Sequence, residues 1–243
     1  MVDSVGLGSS ANSALQGLQR TRQQTSQTNE RLSTGLRIND PLDGTQDFFA
    51  SQALTNRAAD LTQVKNQVGQ AISTIQVADV GLNAINDLSD QARVVATQAR
   101  NTSDPTERTR LAEQFNQIRG QIDSIAANSS FGGTNLIGSS PANLDVALNE
   151  DGDSLTVQGT DSTSAGLGIS SRTFGSDADI DAALAGISSA QTQIRSNSTS
   201  LSSSTSALQN RGGLTNNLTN TLERGNTNLT QADLNEEAAS LLS

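Results

Sequence analysis

Apolar residues recur at every third or fourth position from Leu54 to Ala99: Leu54, Ala58, Leu61, Val64, Val68, Ile72, Ile75, Ala78, Leu82, Ile85, Leu88, Ala92, Val95 and Ala99. The mean step is about 3.5 residues, the period at which apolar side chains stay on one seam of a helix packed along partner helices. The pattern predicts a single helix roughly 70 Å long at the usual helical rise. An element of that length spans or assembles, whereas a catalytic pocket needs walls converging from several directions.

The flanks carry weaker versions of the same signal. Residues 1 to 38 hold a sparse stripe, Ala11, Ala14, Leu15, Leu18, Leu32 and Leu36, among many Gln, Ser and Thr. Such a stripe holds a helix only when buried against another surface. Asn39-Asp40-Pro41-Leu42-Asp43-Gly44 breaks it, because Pro41 restricts Asp40 and Gly44 permits positive φ. Beyond Ser103, Asp104-Pro105-Thr106-Glu107 reads as a new start, with Asp104 as N-cap, Pro105 first in the helix and Glu107 three residues after the cap. Leu111, Phe115, Ile118, Ile122 and Ile125 continue that helix, and so short a break makes it the antiparallel neighbour of the long one.

From 130 to 176 the texture turns to Gly, Ser, Thr, Asn and Asp. Alternation in Leu144–Leu148 and Leu155–Val157 predicts a hairpin, with Asp151-Gly152 supplying the turn. A last helix starts near Asp177 or Asp179 and runs past Leu222. Its rungs Ile187, Ile194, Leu201 and Leu208 recur every seven residues, while the seam positions between them, Gln191, Ser198 and Thr205, are polar. A half-polar seam specifies register and partner at some cost in stability. The fold class that follows is mainly α: a long antiparallel helical bundle or coiled-coil rod with a small β-hairpin region in the middle of the chain.

Composition narrows the chemistry. Aromatics are 2% of the 243 residues, with no Trp or Tyr, which suits thin helical seams better than a large globular core. The formal charge of −10 disfavours nucleic acid and anionic membrane as partners. No apolar run approaches the ~20 residues that span a bilayer, and the first residues lack the pattern of a cleaved secretory signal. With neither Cys nor His, thiol chemistry and the commonest general base and metal ligand are gone. A paired-carboxylate site in the hairpin turn would use Glu150 and Asp153, but a surface turn offers no desolvation to raise either pKa. The acidic loop 149–154 also lacks the twelve-residue, helix-flanked calcium pattern. No cofactor, metal or catalytic residue is expected.

Four segments carry a resemblance. Glu30-Arg31-Leu32-Ser33-Thr34-Gly35-Leu36-Arg37-Ile38-Asn39 resembles the N-terminal hallmark of the bacterial flagellins. Leu82-Asn83-Ala84-Ile85-Asn86 leading to Ala96-Thr97-Gln98-Ala99 is similar to the family's long helix, and Phe131-Gly132-Gly133-Thr134-Asn135-Leu136-Ile137 to the segment joining helices to the variable middle. Leu229 to Ala239 resembles the conserved C-terminal segment. The resemblance covers the chain outside the hairpin region and implies a short flagellin without large outer domains.

It also implies an organisation. Residues 1–43 form the N-terminal arm of the filament core, 44–129 the long and second rod helices, 130–176 a short variable hairpin region and 177–224 the C-terminal rod helix. Residues 225–243 read as the start of a C-terminal core segment that stops short, which leaves the N-terminal arm loose. The implied function is a subunit that self-assembles into the extracellular flagellar filament for swimming. Other copies are its main partners, with an export chaperone, the filament cap and hook-junction proteins, and type III export replaces a cleaved signal. The packing positions are Leu32, Leu36, Leu54, Leu61, Val68, Ile72, Ile75, Leu82, Ile85, Ile118, Ile122, Ile187, Ile194, Leu201 and Leu208. The family's host-receptor region falls on Gln91, Arg93, Val94 and Gln121, where receptor-binding members carry Arg, Arg, Glu and Glu. Three of the four positions lose their charge here, which implies weakened recognition. The rival readings are a flagellin-like hook–filament junction protein and a coiled-coil adhesin or fibre module.

Overall fold

None of the three prolines interrupts a helix: Pro41 precedes one, Pro105 opens one and Pro141 lies in the mid-chain loops. Long helices are therefore free to form wherever an apolar stripe persists. The structure, a computed structural model, describes residues 3–150 and 152–242. Its elements are α1 (Asp3–Thr34), α2 (Thr45–Asn101), α3 (Pro105–Asn128), β1 (Ser130–Phe131), β2 (Thr134–Asn135), β3 (Leu144–Ala147), β4 (Ser154–Val157), α4 (Asp177–Thr230) and α5 (Leu234–Leu242). They fall into two compact units, Leu61–Asn216 and Met1–Asp60 with Asn217–Ser243, and both α2 and α4 contribute to each.

In the unit Leu61–Asn216, α2 and α4 run antiparallel. Gln191 Nε2 donates to Asp90 Oδ1 at 2.9 Å, Ser198 Oγ to Asp79 Oδ1 at 2.5 Å and Lys65 Nζ to Asn216 Oδ1 at 2.9 Å, so α4 climbs as α2 descends. The polar seam positions Gln191 and Ser198 thus set the register between apolar rungs. The third helix, α3, completes the packing. Leu82, Ile85, Phe115, Ile122 and Ile187 are all shut off from solvent in one continuous apolar cluster.

Helix ends are tied by charge. Asp104 caps α3 by accepting the Thr106 N–H at 2.9 Å, with Pro105 in the first turn. Glu107 does not close the reciprocal capping bond: it pairs with Arg110 instead, and the Asp104 N–H donates to Thr102 Oγ1. Arg100 in the last turn of α2 meets Asp177 and Asp181 of the first turns of α4 at 2.7 and 2.8 Å, and Arg108 of α3 meets Asp177 at 2.6 Å. Acidic groups at the start of one helix and a basic group at the end of another also suit both helix dipoles.

The hairpin pairs Leu144↔Val157 through Ala147↔Ser154. Its turn closes between Asn149 and Asp153, with Asn149 Nδ2 to Asp153 Oδ2 at 2.6 Å and the Asp153 N–H to Asn149 Oδ1 at 2.8 Å; Asp151 of the expected Asp-Gly turn lies outside the described residues. What the sequence texture did not suggest is that the middle segment feeds the core. Val146, Val157, Leu167, Ile169 and Phe174 join the apolar cluster, and Ser162, Thr163 and Ser164 are buried. One face of α3 holds this segment. Arg119 donates to Ile169 O and Ser164 Oγ, Asp123 accepts the Ser164 N–H and hydroxyl, and Asn116 bonds both the N–H and the carbonyl of Arg172. Phe174, at φ 54°, turns inward onto Phe115, with ring centroids 5.2 Å apart. Positive φ is uncommon for a bulky residue, and full burial of the ring offsets the strain.

Two helical glycines test this packing in opposite directions. A Cβ on Gly81 would stand 2.3 Å from Ser129 Oγ and 2.7 Å from Ile137 Cδ1, whereas one on Gly120 meets nothing within 4 Å. Gly81→Ala is expected to destabilise by about 1–3 kcal/mol through overpacking, despite alanine's better helix propensity. Gly120→Ala is expected to stabilise by about 0.5–1 kcal/mol. Urea unfolding followed by circular dichroism reads both signs.

Candidate assembly site

The unit Met1–Asp60 with Asn217–Ser243 joins the two resembling terminal segments. The helical run of α1 stops at Gly35, whose φ of 72° and N–H to Arg31 O at 2.8 Å make a left-handed C-cap. The chain beyond it turns to face the end of α4. The N–H groups of Arg37 and Ile38 both reach Thr230 O, at 2.7 and 3.4 Å, and the Ala232 N–H reaches Gly35 O at 3.0 Å. These bonds form an isolated antiparallel bridge between Leu36 and Gln231.

Side chains reinforce this clasp. Arg31 Nη1 meets Glu237 Oε1 of α5 at 2.9 Å, with only 25% and 13% of the two side chains exposed. Arg37 reaches Leu229 O at 3.0 Å and Asp47 at 3.3 Å. Ile38 and Ala232 are buried on either side. Removing one partner of so sheltered an ion pair leaves the other short of solvation, so the pair specifies how α5 sits on α1.

Beyond the clasp, α1 is open. Every residue from Ser10 to Gln27 is exposed, including Leu15 at 55% and Leu18 at 61%. The expected packing positions divide by environment. Leu61, Val68, Ile75, Leu82, Ile85, Ile118, Ile122, Ile187, Ile194, Leu201 and Leu208 are buried within the chain. Leu32, Leu54 and Ile72 are half-buried and Leu36 is exposed. The buried ones are occupied inside the chain, and the exposed large apolar side chains among the described residues include Leu15, Leu18, Leu36, Leu42, Phe49, Val80, Val94, Phe131 and Leu242. Gln91, Arg93, Val94 and Gln121 are all exposed, with Arg93 paired to Asp90 at 2.9 Å on its own helix.

Sequence reasoning did not single out Arg31, Thr230 or Glu237 as partners. The available signal was the pair of terminal motifs, each too polar to stand alone. Among the described residues no three His, Cys, Asp or Glu side chains converge to hold a metal ion, and no helix is long and apolar enough to cross a membrane.

Several carboxylates are held below their ordinary pKa. The Asn39 N–H, helped by the Asp40 N–H and Gln27, lowers Asp43. A hydrogen bond from Arg108 lowers Asp177, and one from Arg110 lowers Glu107. Burial pushes Asp179 up, but Arg172 and the N–H groups of Phe174 and Thr173 together outweigh it and leave it lowered.

A family model described as the bacterial flagellin N-terminal helical region matches residues 8–140. Flagellin FljM of Caulobacter vibrioides is 28% identical over 244 residues, covering 100% of this chain and 89% of that protein. A flagellin of Clostridium tyrobutyricum is 30% identical over 142 residues, 58% of this chain and 38% of its own length. In the crystal structure of Bacillus cereus flagellin the same fold recurs at a TM-score of 0.55 and 22% identity, covering 61% of this chain and 88% of that one.

The lowered carboxylates fix a pH dependence. A carboxylate with a depressed folded-state pKa stabilises the fold above its unfolded value and loses that contribution as pH falls through the folded value. The urea midpoint is therefore expected to be flat above about pH 5 and to fall steadily below about pH 4. Arg108→Gln should flatten part of that fall, and an unchanged acid limb would refute the assignment.

Proposed function

The chain belongs to the bacterial flagellin family, and from that premise we propose how its parts serve the filament. It is a structural subunit of the flagellar filament and not an enzyme. The observation that carries the finer reading is the clasp: Arg31, Arg37 and Ile38 anchor the base of α1 to Thr230 and Glu237, while the stripe above stays open to other copies. Residues 1–43 and 225–243 act as the assembling arm, 44–129 and 177–224 as the helical body, and 130–176 as the short variable region. The family's export chaperone, filament cap and hook-junction proteins are the further partners, and type III export is the route to the filament.

Electron microscopy of the full-length protein under polymerising conditions tests this reading. Long thin helical filaments are expected; a small closed ring would favour the hook-junction alternative, and a stable soluble trimer the fibre module. A second expectation concerns the host receptor. Gln91, Val94 and Gln121 are exposed and uncharged where charge-assisted contacts are needed. A receptor reporter assay should give at least about tenfold lower potency than a flagellin bearing those charges, roughly one lost charged contact. Full potency would overturn this assignment.

A further inference from the structure

The strands of the mid-chain region form two separate ladders: among the described residues β1 pairs only with β2, and β3 only with β4. All four residues of β3 line a groove of about 440 Å³, whose other walls are Gln70, Ala71 and Thr74 of α2 and Phe131 and Thr134 of the β1–β2 ladder. Successive side chains of a strand point to opposite faces, so a cavity bordered by four in a row lies along the strand's edge. The edge of β3 turned away from β4 therefore meets the groove with its backbone N–H and C=O groups unclaimed by any strand. Such an edge is a template for pairing with another chain.

Side-chain character sets what fits. Val146 is buried and Asp145 exposed, so the pleat of β3 sends alternate side chains to the core and to water. A strand laid along the free edge continues that alternation. Its inward side chains meet the apolar wall of Ala71, Phe131 and Val146, and its outward ones stand level with Asp145. Asp145 Oδ1 accepts the Thr156 hydroxyl, and Oδ2 is left for an opposite charge across the new pair. The stretch Gly120–Ser171 contains no Lys or Arg, while Glu150 and Asp153 add their charge to that of Asp145. Lys65 of α2 is turned to Asn216, and Arg211 of α4 donates to Leu148 O.

We propose that this groove is a strand-addition site for an extended cationic segment of a different protein, one in which basic and apolar side chains alternate. Main-chain bonds to β3 supply the affinity and the alternate side chains the selectivity. A second copy of the chain does not fit the role. Of its basic residues only Arg37 and Arg172 lie outside helices, and both are held, Arg37 by Leu229 O and Asp47, Arg172 by Asp179. A second copy also brings a charge of −10 against an acidic edge.

A labelled, end-capped hexapeptide alternating Lys and Val, titrated into the full-length protein and followed by fluorescence anisotropy, tests the site. Saturable binding is expected, with slowed amide exchange across Leu144–Ala147. A peptide of the same composition with its lysines grouped together, or one N-methylated at alternate residues, should bind at least about tenfold more weakly, and a Glu–Val peptide weaker still. Asp145→Lys, at an exposed position, should weaken the Lys–Val peptide about tenfold with an unchanged circular dichroism spectrum. Equal binding of the grouped peptide would reduce the effect to bulk charge and overturn the site. No saturation up to about 1 mM, or saturation without protection of Leu144–Ala147, would overturn it as well. Filament formation is read separately by electron microscopy, so either reading can fail while the other stands.

Discussion

The antiparallel register of α2 against α4 is the constraint on which the unit Leu61–Asn216 depends. Apolar rungs by themselves tolerate sliding, since a shift of one heptad replaces leucine with isoleucine at little cost. The Asp90–Gln191 and Asp79–Ser198 bonds narrow that freedom, because a slip of one heptad would break both pairings and change the partner of each carboxylate. Once the two helices are locked, the positions for α3 and for the hairpin are determined. Arg100, Asp177 and Asp181 then close the end where three helices meet.

With only five phenylalanines, the chain cannot fill its core with large rings. It places two of them, Phe115 and Phe174, where α3 meets the mid-chain segment, and surrounds them with small aliphatic residues. The segment leading to Phe174 has no regular structure to satisfy its backbone. Asn116, Arg119 and Asp123 take over that task, being spaced three and four residues apart and so aligned on one side of α3. Buried backbone groups must be paired, and here a helix supplies the partners that a sheet would otherwise provide.

Periodic features were legible in the sequence and non-periodic ones were not. The seam from Leu54 to Ala99, the cap at Asp104 and the heptads from Ile187 to Leu208 announce their elements because each repeats or follows a local rule. The hairpin was visible for the same reason. Burial of Ser162, Thr163 and Ser164 was hidden, since those residue types are mostly exposed; Ser162 and Thr163 find local partners in Thr160 O and Asp161, while Ser164 is held by Asp123 and Arg119, some forty residues away. Glu107 shows a local rule losing to a competitor: Arg110, one turn on, offers a charged donor in place of a backbone one. The clasp was hidden in yet another way. Its central acceptor is the carbonyl of Thr230, a group that every residue possesses.

That clasp also orders events in time. Arg31 and Glu237 are separated by 206 positions, so their union must wait until the polypeptide has been made through Glu237. Until then the first helix has only its own thin stripe to sustain it, and isolated helices of that kind fray. A molecule made short of Glu237 therefore presents a soft leading segment, and one made through it presents a segment fastened at its root.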